Sequence, residues 1–177
     1  MNRSVSWSIC LVAGIALTGL AAVATPAAAA SCKTWSASMT EDEGGPAMTA
    51  IVCTDDTQGA PALVLQCGAP LDLRYDIGEK AGSSLEPGLS ASFVFTAGTA
   101  SITRKLDLEA MDNMFTTELK PADPLLALLQ SGHAVSVADT GGKYGSNSFS
   151  LSGSRAAIAK VQGSCKASAA AGGDDDD

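Results

Sequence analysis

The stretch "SFSLSGSRAAIAKVQGSC", Ser148 to Cys165, passes from alternating strand residues through Ser-Gly-Ser into a helix and stops at a cysteine. A strand, a tight turn, a serine and a helix are the parts of a hydrolase nucleophile elbow. That turn needs G-x-S-x-G, because its strained backbone tolerates little besides glycine two residues either side of the nucleophile. Ser152 has Ser150 and Ser154 at those places, and Ser154 has Ser152 and Ala156. The general base of a triad would have to be His133, the single histidine of the chain. It follows Gly132, where a partly cationic imidazole complements a helix C-terminus. The elbow reading fails, and Ser154 is expected to cap a helix instead.

Other candidate chemistries fail on the same kind of test. "TGGKYG", Thr140 to Gly145, suggests a phosphate loop, but Val137 stands where the first glycine is needed and Tyr144 where the magnesium-binding hydroxyl is needed. A hairpin loop accounts for its glycines. The cysteines form no C-x-x-C pair and have no histidine near them, so no zinc site is expected. Asp72 with Asp76, and Asp107 with Glu109, share strand faces by their spacing, but alternation with apolar neighbours puts them on the wet side of a sheet. A glycosidase would need two convergent carboxylates in different environments. No catalytic residue, cofactor or metal is expected.

The elements around these residues are mostly strands. "LDLRYDI", Leu71 to Ile77, alternates apolar and polar residues without a break, the period of a half-buried strand. Ala47–Thr54, Ala62–Cys67, Ala91–Thr96, Ser101–Leu108, Asn113–Leu119, Ala134–Ala138 and Ser148–Leu151 read as further strands, separated by Gly-, Pro- and Asp-rich turns. The turn between the first two of these is Asp55–Gly59. Short strands at this spacing predict an all-β domain, an antiparallel β-sandwich with two short helices, one before the last hairpin and one C-terminal. Asp123-Pro124-Leu125 opens the first helix with an N-cap and a proline at its first position, and Gly132 is its expected C′ residue. The second is expected from Ser154 to Gly163, with Ala157, Ile158 and Val161 on its apolar face.

The ends of the chain bear on compartment. Residues 1–30 carry one charge, Arg3, then an apolar run from Ile9 to Ala24 and a small-residue stretch ending at Ala30. This is the pattern of a secretory signal peptide, and its apolar run is too short and too broken by Gly14, Thr18 and Gly19 for a membrane span. Cleavage is expected after Ala30. Lipidation at Cys32 is disfavoured because Ala29-Ala30-Ser31 lacks the usual leucine-like residue. The remainder reads as one domain, residues 31–166, followed by an acidic tail, 167–177, expected to be disordered. Without Arg3 the chain has 10 basic against 19 acidic residues, a net charge of −9. An acidic surface with no basic stripe excludes nucleic acid and anionic headgroups as partners.

Four cysteines remain after the signal: Cys32, Cys53, Cys67 and Cys165. An even number in an exported chain predicts two disulfides. If Ala47–Thr54 and Ala62–Cys67 form a hairpin, Cys53 lies near its turn and Cys67 at its far end, roughly 15 Å apart and beyond disulfide reach. Cys32–Cys53 with Cys67–Cys165, and Cys32–Cys67 with Cys53–Cys165, then remain open, and the first is favoured because it ties the C-terminal helix to the sheet. Loops on a braced sheet are where binding is expected. Ala138–Ser148 is the first candidate, with Lys143 and Tyr144 as the partner contact and its glycines read as flexible. Gly78–Gly88 is the second.

Several segments together resemble small periplasmic proteins: "SCKTWSAS" near the start, "LVLQCGAPLDLRYDI", the "DPLLALLQSG" helix, and the close "FSLSGSRAAIAKVQGSC". Across most of residues 32–165 the chain is similar to the type VI secretion-associated VasI family, whose members end in a comparable strand–Gly–helix–Cys. Its ending is also similar to that of the invasion-associated locus B family. The resemblance implies an envelope or host-interaction role and transfers no catalytic constellation. The expectation is a non-enzymatic, periplasmic or secreted envelope accessory protein that binds a protein or envelope component. A carboxylate-dependent hydrolase and a proteinaceous inhibitor of a secreted enzyme are the alternatives.

Overall fold

The structure is a computed structural model and describes residues 31–42, 45–68, 70–78, 86, 88–109 and 111–171. The expected signal peptide and most of the Gly78–Gly88 loop lie outside the described residues. Among the described residues nine strands and two helices follow one another as β1 (Ser36–Asp42), β2 (Gly45–Cys53), β3 (Ala62–Cys67), β4 (Leu71–Asp76), β5 (Ser90–Ala97), β6 (Ala100–Glu109), β7 (Met114–Leu119), α1 (Pro124–Leu129), β8 (Ala134–Asp139), β9 (Ser146–Ser150) and α2 (Ser154–Ala171). The all-β class with two helices holds. Every ladder is antiparallel, and the strand order is β1-β2-β3-β4-β7-β6-β5-β8-β9.

The sheet is one continuous ladder that folds over on itself. Tyr75 in β4 touches Phe149 in β9 edge to face, with ring centroids 6.0 Å apart, although four strands separate them in the order. At the closing seam the Trp35 N–H donates to the Ser152 carbonyl at 2.9 Å. Alternation produces this curl. Leu71, Leu73 and Tyr75 of β4 are buried while Asp72, Arg74 and Asp76 between them are partly exposed, so only one face of the strand is apolar enough to turn inward. Phe93, Phe95, Phe115, Val135, Val137 and Phe149 complete that lining from the other strands.

The two helices cover apolar surface that the strands leave open. In α1 the Asp123 side chain accepts the Leu125 N–H at 2.9 Å and also pairs with Arg104 at 2.5 Å, so the cap joins the helix to β6. Leu125, Leu126, Leu128 and Leu129 are all buried. Gly132 lies two residues past the Gln130 cap rather than next to it. On α2, Ala157, Ile158 and Val161 are buried as expected and pack toward β1, β2 and β3.

Three expectations need correction. β1 lies outside the strands expected from the sequence, since "SASMTED" has only two large apolar or β-branched residues, Met39 and Thr40. Its strand conformation comes from pairing with β2, from Ser36 opposite Ile51 to Asp42 opposite Gly45. α2 runs past Gly163 to Ala171, into the segment read as a tail. A single glycine costs a helix only about 1 kcal/mol, and the alanines beyond it offset that; residues 172–177 are outside the described part. Finally, Ser154 is the first helical residue rather than the cap, since the Gly153 carbonyl accepts the Ala157 N–H at 3.1 Å.

Gly153 has φ +81°, and a Cβ there would lie 2.6 Å from the Trp35 carbonyl oxygen. The glycine therefore permits both the turn into α2 and the close approach of the Trp35 backbone. Disulfides close the chain at two separate places. Cys32 pairs with Cys53 across 21 residues, and Cys67 with Cys165 across 98. By the chain-entropy model these closures contribute about 3 and about 5 kcal/mol. Cys165 ties α2 to the end of β3, so the opening Ser148–Cys165 stretch is a structural closure.

Candidate functional site

Five rings form a connected cluster, Phe149 joining it through Tyr75. Tyr75 meets Phe93 at 5.2 Å, and Phe93 meets Phe115 at 5.0 Å, both edge to face. Such pairs contribute about 0.5–1.5 kcal/mol each beyond their buried area. Tyr144, from the loop joining β8 to β9, lies on this cluster with its ring 5.0 Å from Phe115 and 6.2 Å from Phe93. The cluster is the floor on which that loop rests.

The loop is held, in contrast to the flexibility read from its glycines. Asp139, at the end of β8, accepts three backbone N–H groups: Gly141 at 3.0 Å, Lys143 at 2.7 Å and Tyr144 at 3.2 Å. Its own N–H donates to the Gly145 carbonyl at 3.1 Å. A carboxylate bonding the backbone two residues on is an Asx turn, and "DTGG" is its sequence signal. Lys143 is exposed, with its ammonium 5.1 Å from the centre of the Tyr144 ring, within cation–π range.

Facing this loop is the turn between β2 and β3, residues 54–61. Thr54 N–H donates to Pro61 C=O at 3.0 Å, and Asp55 accepts the N–H and hydroxyl of Thr57. The Cys32–Cys53 disulfide braces the turn at its base, where Cys53 N–H also donates to Cys32 C=O at 2.7 Å. Asp56 accepts the Ser31 hydroxyl at 3.0 Å and the Cys32 N–H at 2.7 Å. Between turn and loop is a cleft of about 500 Å³, lined among others by Thr54, Gln58, Pro61, Ile77, Lys143 and Asn147. That is within the range of small-ligand sites.

Behind the cleft, Asn147 Nδ2 donates to the Tyr75 hydroxyl at 2.6 Å, joining β9 to β4. Burial raises the Tyr75 pKa; the Asn147 bond works against this, and the charges of Asp76 and Asp139 add to the rise. The phenol stays protonated and serves as a polar anchor for Asn147 rather than as a base.

The structure thus brings Lys143 and Tyr144 to one wall of a cleft and Cys32 and Cys53 to the base of the other. Cys67 and Cys165 lie elsewhere, at the α2 closure. Tyr144 is half-buried and mainly a packing residue, so Lys143 is the more exposed of the expected contacts. His133 and Ser152 are exposed and Ser154 is buried; among the described residues no hydrogen bond joins the His133 ring to either serine. His133 contributes its carbonyl, which accepts the Leu151 N–H at 2.8 Å. On the wet face of β4, Asp72 is ion-paired to Arg74 at 2.8 Å, and on β6 Lys105 reaches Asp107 at 3.5 Å. Among the described residues no group of His, Cys, Asp and Glu could hold a metal ion, and no helix is long and apolar enough to cross a membrane.

Sequence reading missed the opposing wall and the Tyr75–Asn147 link, because their partners are far apart in the chain, Tyr75 and Asn147 by 72 residues. The arrangement offers amide, hydroxyl and main-chain groups, one ammonium and one aromatic face, which is equipment for recognition. Comparison with protein-family models, with curated proteins and with solved structures finds no match.

Proposed function

We propose that this chain is a non-enzymatic, exported accessory protein of the cell envelope, periplasmic or secreted, that binds a protein or envelope component in the cleft between residues 54–61 and 143–147. The observation that carries this reading is the pre-organisation of both walls. One is held by the Asp139 carboxylate and the other by a disulfide, on a scaffold whose rings are packed beneath them. Rigid walls reduce the ordering cost of association. The two disulfides fit an oxidising compartment. The resemblance to the VasI and invasion-associated locus B families agrees with a role in secretion or host interaction.

The carboxylate-hydrolase alternative has less behind it, since Asp72 and Asp107 are each engaged with a cation on the exposed face. Pull-down from the native envelope tests the proposal. Lys143→Glu leaves the packing of Tyr144 in place and is expected to reduce recovery of the partner about tenfold, as truncation of an interface contact does. Equal recovery with wild type and variant, at unchanged thermal midpoint, counts against the cleft.

A further inference from the structure

β9 is the last strand of the described sheet, hydrogen-bonded to β8 on one side, with part of β2 lying close to it across the closing seam. Its hydrogen-bond phase is fixed at both ends. Leu151 N–H donates to His133 C=O at 2.8 Å, and Gly145 C=O accepts Asp139 N–H at 3.1 Å. Odd-numbered residues of β9 therefore bond to β8. In an antiparallel ladder the alternate residues direct their N–H and C=O the other way. Those residues are Ser146, Ser148 and Ser150. Ser152 continues the series, and its carbonyl already accepts the N–H of Trp35 at 2.9 Å. An extended segment of the chain thus uses one rung of this edge.

Below that rung the edge is short, 5 residues, but carries no lysine, proline or bulge. Lysine, proline and bulges are the usual protection; here the outward residues are three serines, of which Ser146 and Ser148 are exposed. The start of the edge opens into the cleft, whose lining includes Gly145, Ser146 and Asn147. From Ser146 to Ser150 the strand offers about 13 Å of pairing length. Lys143 lies just before it in the chain and also lines the cleft.

We propose that the outer edge of β9 takes up an extended peptide segment of the partner as an additional strand, main chain against main chain, with an acidic residue of that segment at Lys143. This rests on the binding reading above and names its ligand class. Affinity in this mode comes from backbone hydrogen bonds and specificity from flanking side chains.

An array of immobilised, unstructured peptides, with and without acidic residues, is probed with the mature disulfide-bonded protein, and the best binder is then used in solution. Amide exchange at Ser146, Ser148 and Ser150 is expected to slow by about tenfold or more on binding, with odd positions little changed. Ser148→Pro removes an outward N–H while sparing the β8 ladder. It is expected to weaken binding by about tenfold or more, whereas Ser148→Ala binds like wild type. If the proline variant does not fold, exchange in the wild-type protein decides alone. The proposal is overturned by a peptide that binds without slowing these amides, by full binding to Ser148→Pro, or by an array with no binder. An empty array beside an envelope pull-down that Lys143→Glu abolishes overturns the edge and leaves the cleft standing; insensitivity to Lys143→Glu as well overturns both.

Discussion

Asp139→Ala separates a held loop from a merely resting one. The wild-type carboxylate accepts the N–H groups of Gly141, Lys143 and Tyr144 at 3.0, 2.7 and 3.2 Å. A hydrogen bond contributes about 0.5–1.5 kcal/mol net, and more when the acceptor is charged. The loop is largely exposed, however, so water replaces part of what is lost. About 2 kcal/mol for the three together follows, or roughly thirtyfold in the local opening equilibrium. The Tyr144 ring remains against Phe115 and Phe93, so the sheet itself should keep its cooperative unfolding. Amide exchange followed by NMR in the limit of fast reclosing reads this directly. Rates at Lys143 and Tyr144 should rise by roughly thirtyfold while those of Phe93 and Phe95 stay unchanged. Asp139→Asn keeps one acceptor oxygen and should fall between the two. Exchange within about twofold of wild type in Asp139→Ala would refute the reasoning, since the loop would then be held by its aromatic contact alone.

Two further outcomes are specific to the structure. Gly153→Ala places a Cβ 2.6 Å from the Trp35 carbonyl at φ +81°, whereas Gly142→Ala at φ +72° meets nothing within 4 Å. Both pay about 1–2 kcal/mol for the left-handed backbone, and only the first adds a clash that costs about another 1 kcal/mol through the Trp35–Ser152 bond; equal urea midpoints for the two would contradict this. Tyr75 has a folded pKa raised first by burial, so its contribution is fully present below the ordinary phenol value and is lost as pH rises from there through the folded value. As pH rises above the ordinary phenol value of about 10, stability should therefore fall more steeply in wild type than in Tyr75→Phe, and parallel curves would count against a buried, protonated phenol.

The parts of the fold legible in the sequence are those written in local periodicity. Leu71–Ile77 alternates cleanly, and the structure places β4 at Leu71–Asp76 with its apolar residues inside. Asp123-Pro124 marks the start of α1, because an Asp side chain and a fixed proline φ are local facts. The length of a hairpin arm, a local property, removes Cys53–Cys67 but leaves two connectivities open; the structure has the favoured one, Cys32–Cys53 with Cys67–Cys165. β1 was not legible. Its residues have little strand preference, and its conformation is imposed by the ladder with β2. The end of α2 was misread for a related reason: Gly163 is a weak stop, overridden where Cys165 fastens the helix to Cys67.

For the site, the sequence alone determined that the β8–β9 loop is short, glycine-rich and flanked by strands, and that Lys143 and Tyr144 belong to it. Tertiary structure decided what each does. Tyr144 turns inward because curling of the sheet brings Phe93 and Phe115 beneath the loop, leaving Lys143 outside. The opposing wall, the Asn147–Tyr75 bond and the exposed phase of β9 all depend on strands far apart in sequence coming together when one sheet folds over on itself. That closure is set by the summed burial of alternate residues over nine strands, a cooperative quantity that no single window of sequence contains.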